Sequence, residues 1–343
     1  MPLFMGSPQR NLLFYRISDG FILLERSEMT TIDLIVEPGT VLSWKQFSAT
    51  KPPYSIALDG YVSGPTRYTP HGPFANFNHH EDVDRMATRS TCAQIFFAMM
   101  MGLFDAFQRE GEAVAHVWVN DADQDVCLSY WLLKNPEITR SIAWEDPMAK
   151  LIILEDFVDA SAGAYPIRNL HDELIRQQAW VFEPYTTARS QRRLHAMAGS
   201  DLVGIIEKIC DRLTRFAEGK SRAIDLDTRH EVIGGGPGWK MVIETGIYAR
   251  TELYSSGTKV FVGMRKRDDG RYTYIIGKMS PYILFPLTRI YTALNRNDTT
   301  ISEGNAWGGS DIIGGSPRKT GSSLSPDRVE AIINRTISKE DSA

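Results

Sequence analysis

Short apolar runs alternate with longer amphipathic stretches through the first half of the chain. The apolar runs have the length of strands, and the stretches between them have the length and spacing of helices. This alternation predicts an α/β domain with a mostly parallel sheet and flanking helices. Strands are predicted at residues 32–36, 55–58, 113–119 and 151–154, and helices at residues 86–107 and 125–134.

The pattern changes twice after the last of these runs. Residues 170–220 are helical in pattern throughout, and the apolar positions of 202–216 lie on one helix face. The glycine cluster 234–238 then breaks the pattern, and three β-like runs and a helix follow it. We therefore predict an α/β domain at 1–165, a helical connector at 166–230 and a second, smaller α/β domain at 231–343. The later elements are predicted at 239–250, 259–264, 272–277 and, for the helix, 286–294.

Composition narrows the class of protein without identifying it. Hydrophobic residues make up 43% and charged residues 23% of the 343 residues, which is typical of a globular domain. Cys92, Cys127 and Cys210 are too scattered for a disulfide framework or a zinc cluster. The longest apolar run, 95–104, is about half of a membrane span. We expect a cytoplasmic protein with no membrane association.

Charge argues against a protein that coats long duplex nucleic acid. The formal net charge is −4, from 38 Lys plus Arg and 42 Asp plus Glu. A mild excess of basic residues beyond residue 240 has the sign expected for a domain that handles an anionic substrate. We expect the partner to be a small anionic substrate. Whether the chain forms a homodimer is left open.

Two adjacent histidines, His79 and His80, stand next to three acids. Glu81, Asp82 and Asp84 follow them directly. Nitrogen and carboxylate donors together suit manganese, iron or zinc better than calcium or magnesium alone. On an extended segment the two rings point in opposite directions, so one would bind a given metal and the other would contact substrate or a second metal. The alternative is a solvated loop with two incidental histidines.

Three aspartates at alternate positions, Asp121, Asp123 and Asp125, follow the predicted strand 113–119. The carboxyl end of a parallel strand is where open α/β sheets place their sites. Three close carboxylates repel one another unless a cation lies between them. In the alternative interpretation, Asp123 or Asp125 merely caps the following helix.

Single acids also end two other predicted strands. Asp59 follows strand 55–58, and Asp156 and Asp159 follow strand 151–154. Each alone is more typical of a turn. Three strands that all end in aspartate, with a histidine pair between two of them, predict a binuclear metal site.

A glycine-rich segment, 307–318, stands near the C-terminus. Paired glycines at 308–309 and 314–315 let the backbone approach a ligand closely, and their bare N–H groups favour anions. Arg318 adds a charge that suits phosphate. The alternative is a flexible glycine loop.

Together these motifs resemble the DHH phosphoesterase superfamily with its C-terminal DHHA1-type domain. Asn78-His79-His80 is similar to the Asp-His-His signature, with Asn in place of the Asp. Asp59-Gly60 resembles the second family motif, and Asp156 with Asp159 resembles the fourth. The segment Gly308 to Gly321 is similar to the glycine-rich substrate loop of the DHHA1 domain, with Arg265 on the preceding strand.

The chain departs from the family pattern at its first motif, Asp-x-Asp on the first strand. The best match is Asp121-Ala-Asp123-Gln-Asp125, which follows the histidine pair instead of preceding it. Either the motif order is rearranged in this chain or the match is accidental. Asn78 also replaces an aspartate that can bind metal in the family.

The resemblance implies a two-domain, metal-dependent phosphoesterase that uses manganese, with magnesium or another divalent metal as the alternative. It implies metal ligands at Asp59, His79, Asp121, Asp123, Asp125 and Asp159. His79, His80 and Asp123 would be catalytic, with His80 on the phosphoryl group or leaving oxygen. Arg265, Gly314, Gly315 and Arg318 would bind the substrate anion.

Three classes of function follow from these residues. The first is a metal-dependent phosphoester hydrolase acting on a short oligonucleotide, a cyclic dinucleotide or a small phosphometabolite. The second is a metal-dependent hydrolase of a carbon–nitrogen or carboxyl ester bond. The third is a degenerate member, marked by Asn78, that binds a nucleotide or metal without turning it over.

Overall fold

The computed structural model describes residues 12–17, 20–25 and 31–338, with side chains from residue 31 onward. The chain divides into two compact units. The first unit comprises the residues up to Ala160 together with Glu173–Ile224, and the second comprises Ser161–Asp172 together with the residues from Asp225 onward.

The predicted connector 166–230 is not a third body in this division. Its two long helices belong to the first unit, where the apolar side of the second helix is buried in the main core. The amphipathic spacing of 202–216 is therefore explained by packing within the first unit, because that side has to be covered.

The sheet of the first unit is mostly parallel, as predicted. Its strand order is β3-β8-β4-β6-β5, and the first four strands in that order run parallel to their neighbours. β5 pairs antiparallel with β6, and the short β7 forms a hairpin with β8. The strands are β3 Thr31–Val36, β4 Ser55–Leu58, β5 Arg67–Thr69, β6 Phe74–Phe77, β7 Gln108–Arg109 and β8 Glu112–Val119.

Helices cover both faces of this sheet. Ile56 and Val117 face the main core, while Ala57 and Trp118, one residue further along each strand, face a smaller core under α1. This period of two follows from strand geometry. The helices are α1 Trp44–Thr50, α2 Thr91–Met100, α3 Leu103–Ala106, α4 Gln124–Lys134, α5 Pro136–Ser141, α6 Pro147–Ala160, α7 Glu173–Ser190 and α8 Gly199–Ala217.

Three sequence predictions in this unit need correction. Residues 151–154, predicted as a strand, lie inside α6, since a short apolar run suits a buried helix as well as a strand. The predicted helix 86–107 begins only at Thr91, where Ser90 is the N-cap, and it breaks at Gly102 between α2 and α3. Strand β6 was not predicted at all.

The second unit contains a mixed sheet in the order β13-β14-β12-β11-β10-β9. β10 and β11 run parallel and are connected through α9, while the other neighbours are antiparallel. The turn predicted at 268–270 does join a hairpin, β11 to β12. The elements are β9 His230–Gly236, β10 Trp239–Glu244, α9 Ala249–Ser255, β11 Val260–Lys266, β12 Tyr272–Lys278, α10 Leu287–Asn297, β13 Gly308–Gly309, β14 Ile313–Gly315 and α11 Pro326–Ser338.

The remaining observations concern the N-terminal strands and the length of the helices. β1 (Leu12–Ile17) and β2 (Gly20–Glu25) form an antiparallel hairpin of their own. Among the described residues, no helix combines the length and apolar character needed to cross a membrane.

Candidate metal centre

The carboxyl ends of two neighbouring parallel strands supply the first part of a polar cluster in the first unit. Asp59 follows β4, and His79 and His80 follow β6, which pairs with β4 in register. Asp125 lies in the first turn of α4, just beyond β8, and Asp159 lies in the last turn of α6. Four elements therefore bring these side chains to one edge of the sheet, the edge where α/β sheets bind ligands.

The turn after β4 presents Asp59 to this edge. Asp59 has a φ of 47° and Gly60 a φ of 84°, so both residues lie in the left-handed region. Aspartate tolerates this region better than most residues, and glycine adopts it freely. The Asp59 N–H donates to the carbonyl of Phe77 (2.8 Å), and the Asn120 side chain donates to the carbonyl of Gly60 (3.1 Å). The turn is thereby fastened to both adjacent strand ends.

His79 is the centre of the cluster and is fully buried. Its Nε2 lies 2.6 Å from Asp159 Oδ2, 3.4 Å from Asp59 Oδ1 and 3.6 Å from Asp125 Oδ2. Metal–ligand bonds of about 2.0–2.2 Å place neighbouring ligand atoms roughly 3–3.5 Å apart. The separations from Asp59 and Asp125 match that spacing.

Several polar atoms of the cluster have no hydrogen-bond partner among the described residues. They are both ring nitrogens of His79 and Oδ2 of Asp159, and all three are buried. The short approach of His79 Nε2 to Asp159 Oδ2 therefore lacks hydrogen-bond geometry. Unsatisfied buried polar atoms cost free energy, and a cation bound among them would satisfy them.

The donor atoms form two groups of three that share His79. One group is Asp59, His79 and His80, and the other is His79, Asp125 and Asp159; within each group the ligand atoms lie within 4.8 Å of one another. Both groups could hold a metal ion. Imidazole nitrogen combined with carboxylate oxygen suits a divalent transition metal.

The two histidine rings do not point in opposite directions as an extended segment predicts. Their centroids are 4.4 Å apart, and His80 Nε2 lies 2.8 Å from Asp59 Oδ1. β6 ends at Phe77, so the alternation of a strand does not extend to the two histidines, and the Nε2 atoms of both lie within 3.4 Å of Asp59 Oδ1.

The charges of the cluster shift the pKa values of its members. Burial by itself would lower the pKa of His79, but its contacts with Asp159 and Asp59 outweigh burial and raise that pKa to about 10. Burial would raise the pKa of Asp59, yet the two histidines hold it well below its usual range. In the metal-free protein a proton on His79 thus compensates the carboxylate charge that a metal ion would otherwise neutralise.

Asp125 is held by the N-terminus of α2. Its carboxylate accepts the backbone N–H groups of Thr91 and Cys92, both at 2.6 Å. Burial and the charges of Asp159 and Asp59 nevertheless raise the pKa of Asp125 to about 7. The Thr91 hydroxyl also donates to Asp59 Oδ1 (3.0 Å), so one helix N-terminus fixes two carboxylates of the cluster.

Asp121 and Asp123 face their own backbone and belong to neither group of metal ligands. Asp123 is the N-cap of α4 and accepts from the N–H of Val126 (2.8 Å), while Asp121 accepts from the N–H of Ala122 (2.7 Å). Burial and the charge of Asp59 raise the pKa of both carboxyls. Of the three alternate aspartates, Asp125 alone is among the grouped donors of the described chain.

Asn78 has a structural environment of its own. It is fully buried, and its side-chain N–H₂ donates to the carbonyls of Gly64 (2.9 Å) and Val62 (3.4 Å). Its Oδ1 accepts from the N–H of His80 (3.1 Å). An aspartate could not donate to the two carbonyls, so the asparagine suits this position.

The remaining acids near the histidines bind backbone groups. Glu81 accepts from the N–H of Gly64, Asp84 accepts from the N–H of Met86, and Asp156 accepts from the N–H of Ser90. Asp82 is exposed with a φ of 56°.

The predicted substrate-binding residues all lie in the second unit. Arg265 is exposed near the end of β11, and Arg318 is exposed in the turn after β14. Gly314 and Gly315 lie in β14, which is paired on both sides, with β12 and β13. A Cβ on Gly314 would overlap the Tyr291 hydroxyl and the carbonyl of Gly308, so close packing alone accounts for glycine there.

Two residues near the centre were not predicted from the sequence. Thr91 carries the contact with Asp59, and Glu155 is buried on α6 with a carboxylate that accepts from the Gln178 side chain (2.7 Å). The sequence Ser90-Thr91 marks a helix N-cap, and that signal could have located Thr91. No local pattern distinguishes Glu155 from an exposed helix residue.

No protein-family model, curated protein or solved structure matches this chain.

Proposed function

We propose that the protein is a metal-dependent phosphoesterase that hydrolyses a phosphate ester or phosphodiester. The observation that carries this proposal is the pair of donor groups sharing His79, with buried donor atoms that have no hydrogen-bond partner in the described chain. Buried carboxylates and imidazoles arranged in this way match the requirements of a divalent metal site.

Asp59, His79, Asp125 and Asp159 would hold the metal, and His80 would belong to the same site through Asp59. A divalent cation bound there supplies Lewis-acid chemistry and activates water for attack on phosphorus. Thr91 and the N-terminus of α2 hold Asp59 and Asp125 in place. His80 is partly exposed at the edge of the cluster, and we propose that it contacts the phosphoryl group or the leaving oxygen.

The spatial position of Asp125 supports the resemblance to the DHH phosphoesterases. Its segment follows the histidine pair in the chain, yet Asp125 Oδ2 lies 3.6 Å from His79 Nε2. A motif displaced in sequence but located beside the other motifs favours a rearranged order over an accidental match. The metal ligand in that motif would then be Asp125, while Asp123 caps α4.

The substrate we propose is a small phosphorylated molecule or a short nucleotide, and manganese is the preferred metal. The mixed nitrogen and oxygen donors favour manganese, iron or zinc over calcium. On the second unit, taken by itself, Arg265 and Arg318 are proposed to bind an anion, because both residues are exposed and a guanidinium matches phosphate oxygens.

Calorimetric titration of the metal-stripped protein with Mn²⁺ tests the metal centre. Wild type should bind Mn²⁺ with micromolar affinity, and His79→Ala and Asp125→Asn should lose that binding. Asp123→Asn is the matched control, because it removes a nearby charge while asparagine still caps a helix. Equal loss in Asp123→Asn and Asp125→Asn would mean that bulk charge, not ligation, draws the ion.

A substrate panel then tests the reaction. p-Nitrophenyl phosphate, bis(p-nitrophenyl) phosphate and a 5′-phosphorylated dinucleotide should release product only with Mn²⁺ and only with His79 intact. Hydrolysis of p-nitrophenyl acetate alone would place the protein among the non-phosphate hydrolases. Tight metal binding with no turnover of any ester would identify a binding module instead.

A further inference from the structure

Arg85 lies at the edge of the metal centre, on the irregular segment between β6 and α2. Its Nη2 donates to the main-chain carbonyl of Asp159 (2.9 Å) and lies 3.6 Å from Asp159 Oδ2. Its Nη1 lies 3.4 Å from His80 Nδ1, and because an arginine only donates, that nitrogen is the acceptor. The guanidinium therefore spans the two sides of the cluster, from His80 to Asp159.

One N–H of this guanidinium has no partner in the part of the chain that the structure describes. Arg85 Nε is buried and is within hydrogen-bond reach of no described acceptor. The side chain as a whole is 30% exposed, so the group is open to solvent on one side. A buried donor beside an open edge of a site is suited to an acceptor brought by a ligand.

The charge of Arg85 restricts what that ligand can be. A guanidinium keeps its proton at all relevant pH values and cannot coordinate a cation. Its planar set of N–H donors matches the oxygens of phosphate and carboxylate groups. One divalent cation would offset two of the three negative charges of Asp59, Asp125 and Asp159. A second cation in the other donor group would leave the site, together with Arg85, net positive and able to attract an anion.

We propose that Arg85 binds a phosphoryl oxygen of the substrate at the metal centre through its Nε–H, the donor that has no acceptor in the described chain. This inference rests on the function proposed above and assigns a phosphate-recognising residue within the first unit itself. Arg85 is thus a substrate-binding residue, and its contacts with His80 and Asp159 hold the guanidinium at the edge of the cluster.

A purely structural role for Arg85 makes a different prediction. The bond from Nη2 to the carbonyl of Asp159 fastens the segment before α2 to the last turn of α6. If that were the whole role, replacement of Arg85 would lower both the stability of the protein and its Mn²⁺ affinity. The affinity for phosphate would then fall by no more than the affinity for Mn²⁺.

Titration of the Mn²⁺-loaded protein with inorganic phosphate separates the two roles. Arg85→Gln should weaken phosphate binding by about 10- to 100-fold, as expected for loss of charge-assisted hydrogen bonds, while Mn²⁺ affinity changes little. Arg85→Lys keeps the positive charge but loses the planar set of N–H donors, so its phosphate affinity should lie between those of Arg85→Gln and wild type. Arg89→Gln is the control, because Arg89 is an exposed arginine whose guanidinium lies 4.0 Å from Asp156 and 5.9 Å from the centre of the Phe97 ring.

Three results would overturn the inference. They are unchanged phosphate affinity in Arg85→Gln, an equal loss of phosphate and Mn²⁺ affinity in that variant, and absence of phosphate binding by wild type. If Arg85→Gln does not fold, as judged by circular dichroism, the comparison of Arg85→Lys with wild type decides. Failure of the proposed function gives a different result, since wild type would then bind phosphate in an Arg85-dependent way without hydrolysing any ester.

Discussion

Each of the two units contains a segment that the sequence predicts to be a ligand site, and the surroundings of the two segments differ in the structure. In the first unit, polar side chains converge on His79, and several buried donor atoms there have no partner in the described chain. In the second, Gly314 and Gly315 lie in a strand paired on both sides, where neighbouring groups fill the space a side chain would need. Buried polar atoms without a protein partner suit a bound ligand, whereas glycines packed against backbone are explained by close packing.

The largest effect we expect comes from restoring the signature aspartate. Asn78→Asp places a carboxylate against the carbonyls of Gly64 and Val62 in a fully buried position. An uncompensated buried charge costs about 3–5 kcal/mol of unfolding free energy. Urea unfolding of the metal-free protein measures this cost. The control is Asn169→Asp, an exposed position whose side chain accepts from the N–H of His171, as an aspartate also would.

Rescue of this variant by Mn²⁺ would change the role assigned to residue 78. If Mn²⁺ rescued Asn78→Asp to wild-type stability, the new carboxylate would be acting as a ligand. Asn78 would then be a lost metal ligand and not a structural residue.

The packed glycines of the second unit should be intolerant of a methyl group. Gly314→Ala would force its Cβ into the Tyr291 hydroxyl and the carbonyl of Gly308, and overpacking of this kind costs about 3 kcal/mol. Gly308→Ala is the matched control on the neighbouring strand, because nothing lies within 4 Å of its Cβ position. Urea unfolding of both variants gives the difference. Equal stability of the two would mean that β14 is looser than the pairing indicates.

Metal should protect one of the two regions and leave the other unchanged. At about 100 times its dissociation constant, Mn²⁺ should slow exchange of the Thr91 and Cys92 amides by about 100-fold, since Asp125 links them to the centre. The amides of β14 should exchange at the same rate with and without Mn²⁺. Hydrogen–deuterium exchange with mass spectrometry measures both, and His79→Ala should abolish the protection. Protection of β14 instead would contradict the contrast between the two regions.

Glu155 should make the metal-free protein less stable as the pH rises. Burial, together with the charges of Asp159 and Asp125, raises the pKa of Glu155 well above its ordinary 4.5. The folded state then holds this proton more tightly than the unfolded state, so stability falls above about pH 4.5 until the folded pKa is passed. The slope is at most about 1.4 kcal/mol per pH unit.

Glu155→Gln should remove this dependence while keeping an acceptor for Gln178. Thermal unfolding of both proteins between pH 5 and pH 8 gives the dependence of stability on pH. The stability of the variant relative to wild type should increase as the pH rises. Parallel curves would show that Glu155 has no raised pKa in the folded protein.

The local sequence pattern was sufficient to predict a helix or strand where that element buries a regular set of side chains. The runs at β4 and β8 and the helix at α4 were predicted to within a residue or two, because their apolar positions and boundary residues agree. The run 151–154 was wrong, since four consecutive apolar residues carry no period. β6 was missed because its buried Asn76 interrupts an otherwise apolar run.

The residues of the candidate metal centre were predicted in part. The prediction that Asp59, His79 and Asp159 share a site rested on acids following apolar runs, and the structure does bring them together. Asp159 nevertheless comes from a helix and not from a strand. The division of roles among Asp121, Asp123 and Asp125 depends on where α4 begins, because the N-cap position falls on Asp123 and Asp125 lies two residues further on, in the first turn.

The sequence by itself determined the α/β character of the chain, the position of most strands and helices, and the residue types that can bind a metal. These properties follow from local periodicity and side-chain chemistry. Only the tertiary structure decided that Asp125 joins His79, that Asn78 binds two backbone carbonyls, that Arg85 spans the edge of the cluster, and that Gly314 is packed. Each of those depends on atoms far apart in the chain, whose separation is set by how helices and strands pack and not by their spacing in sequence.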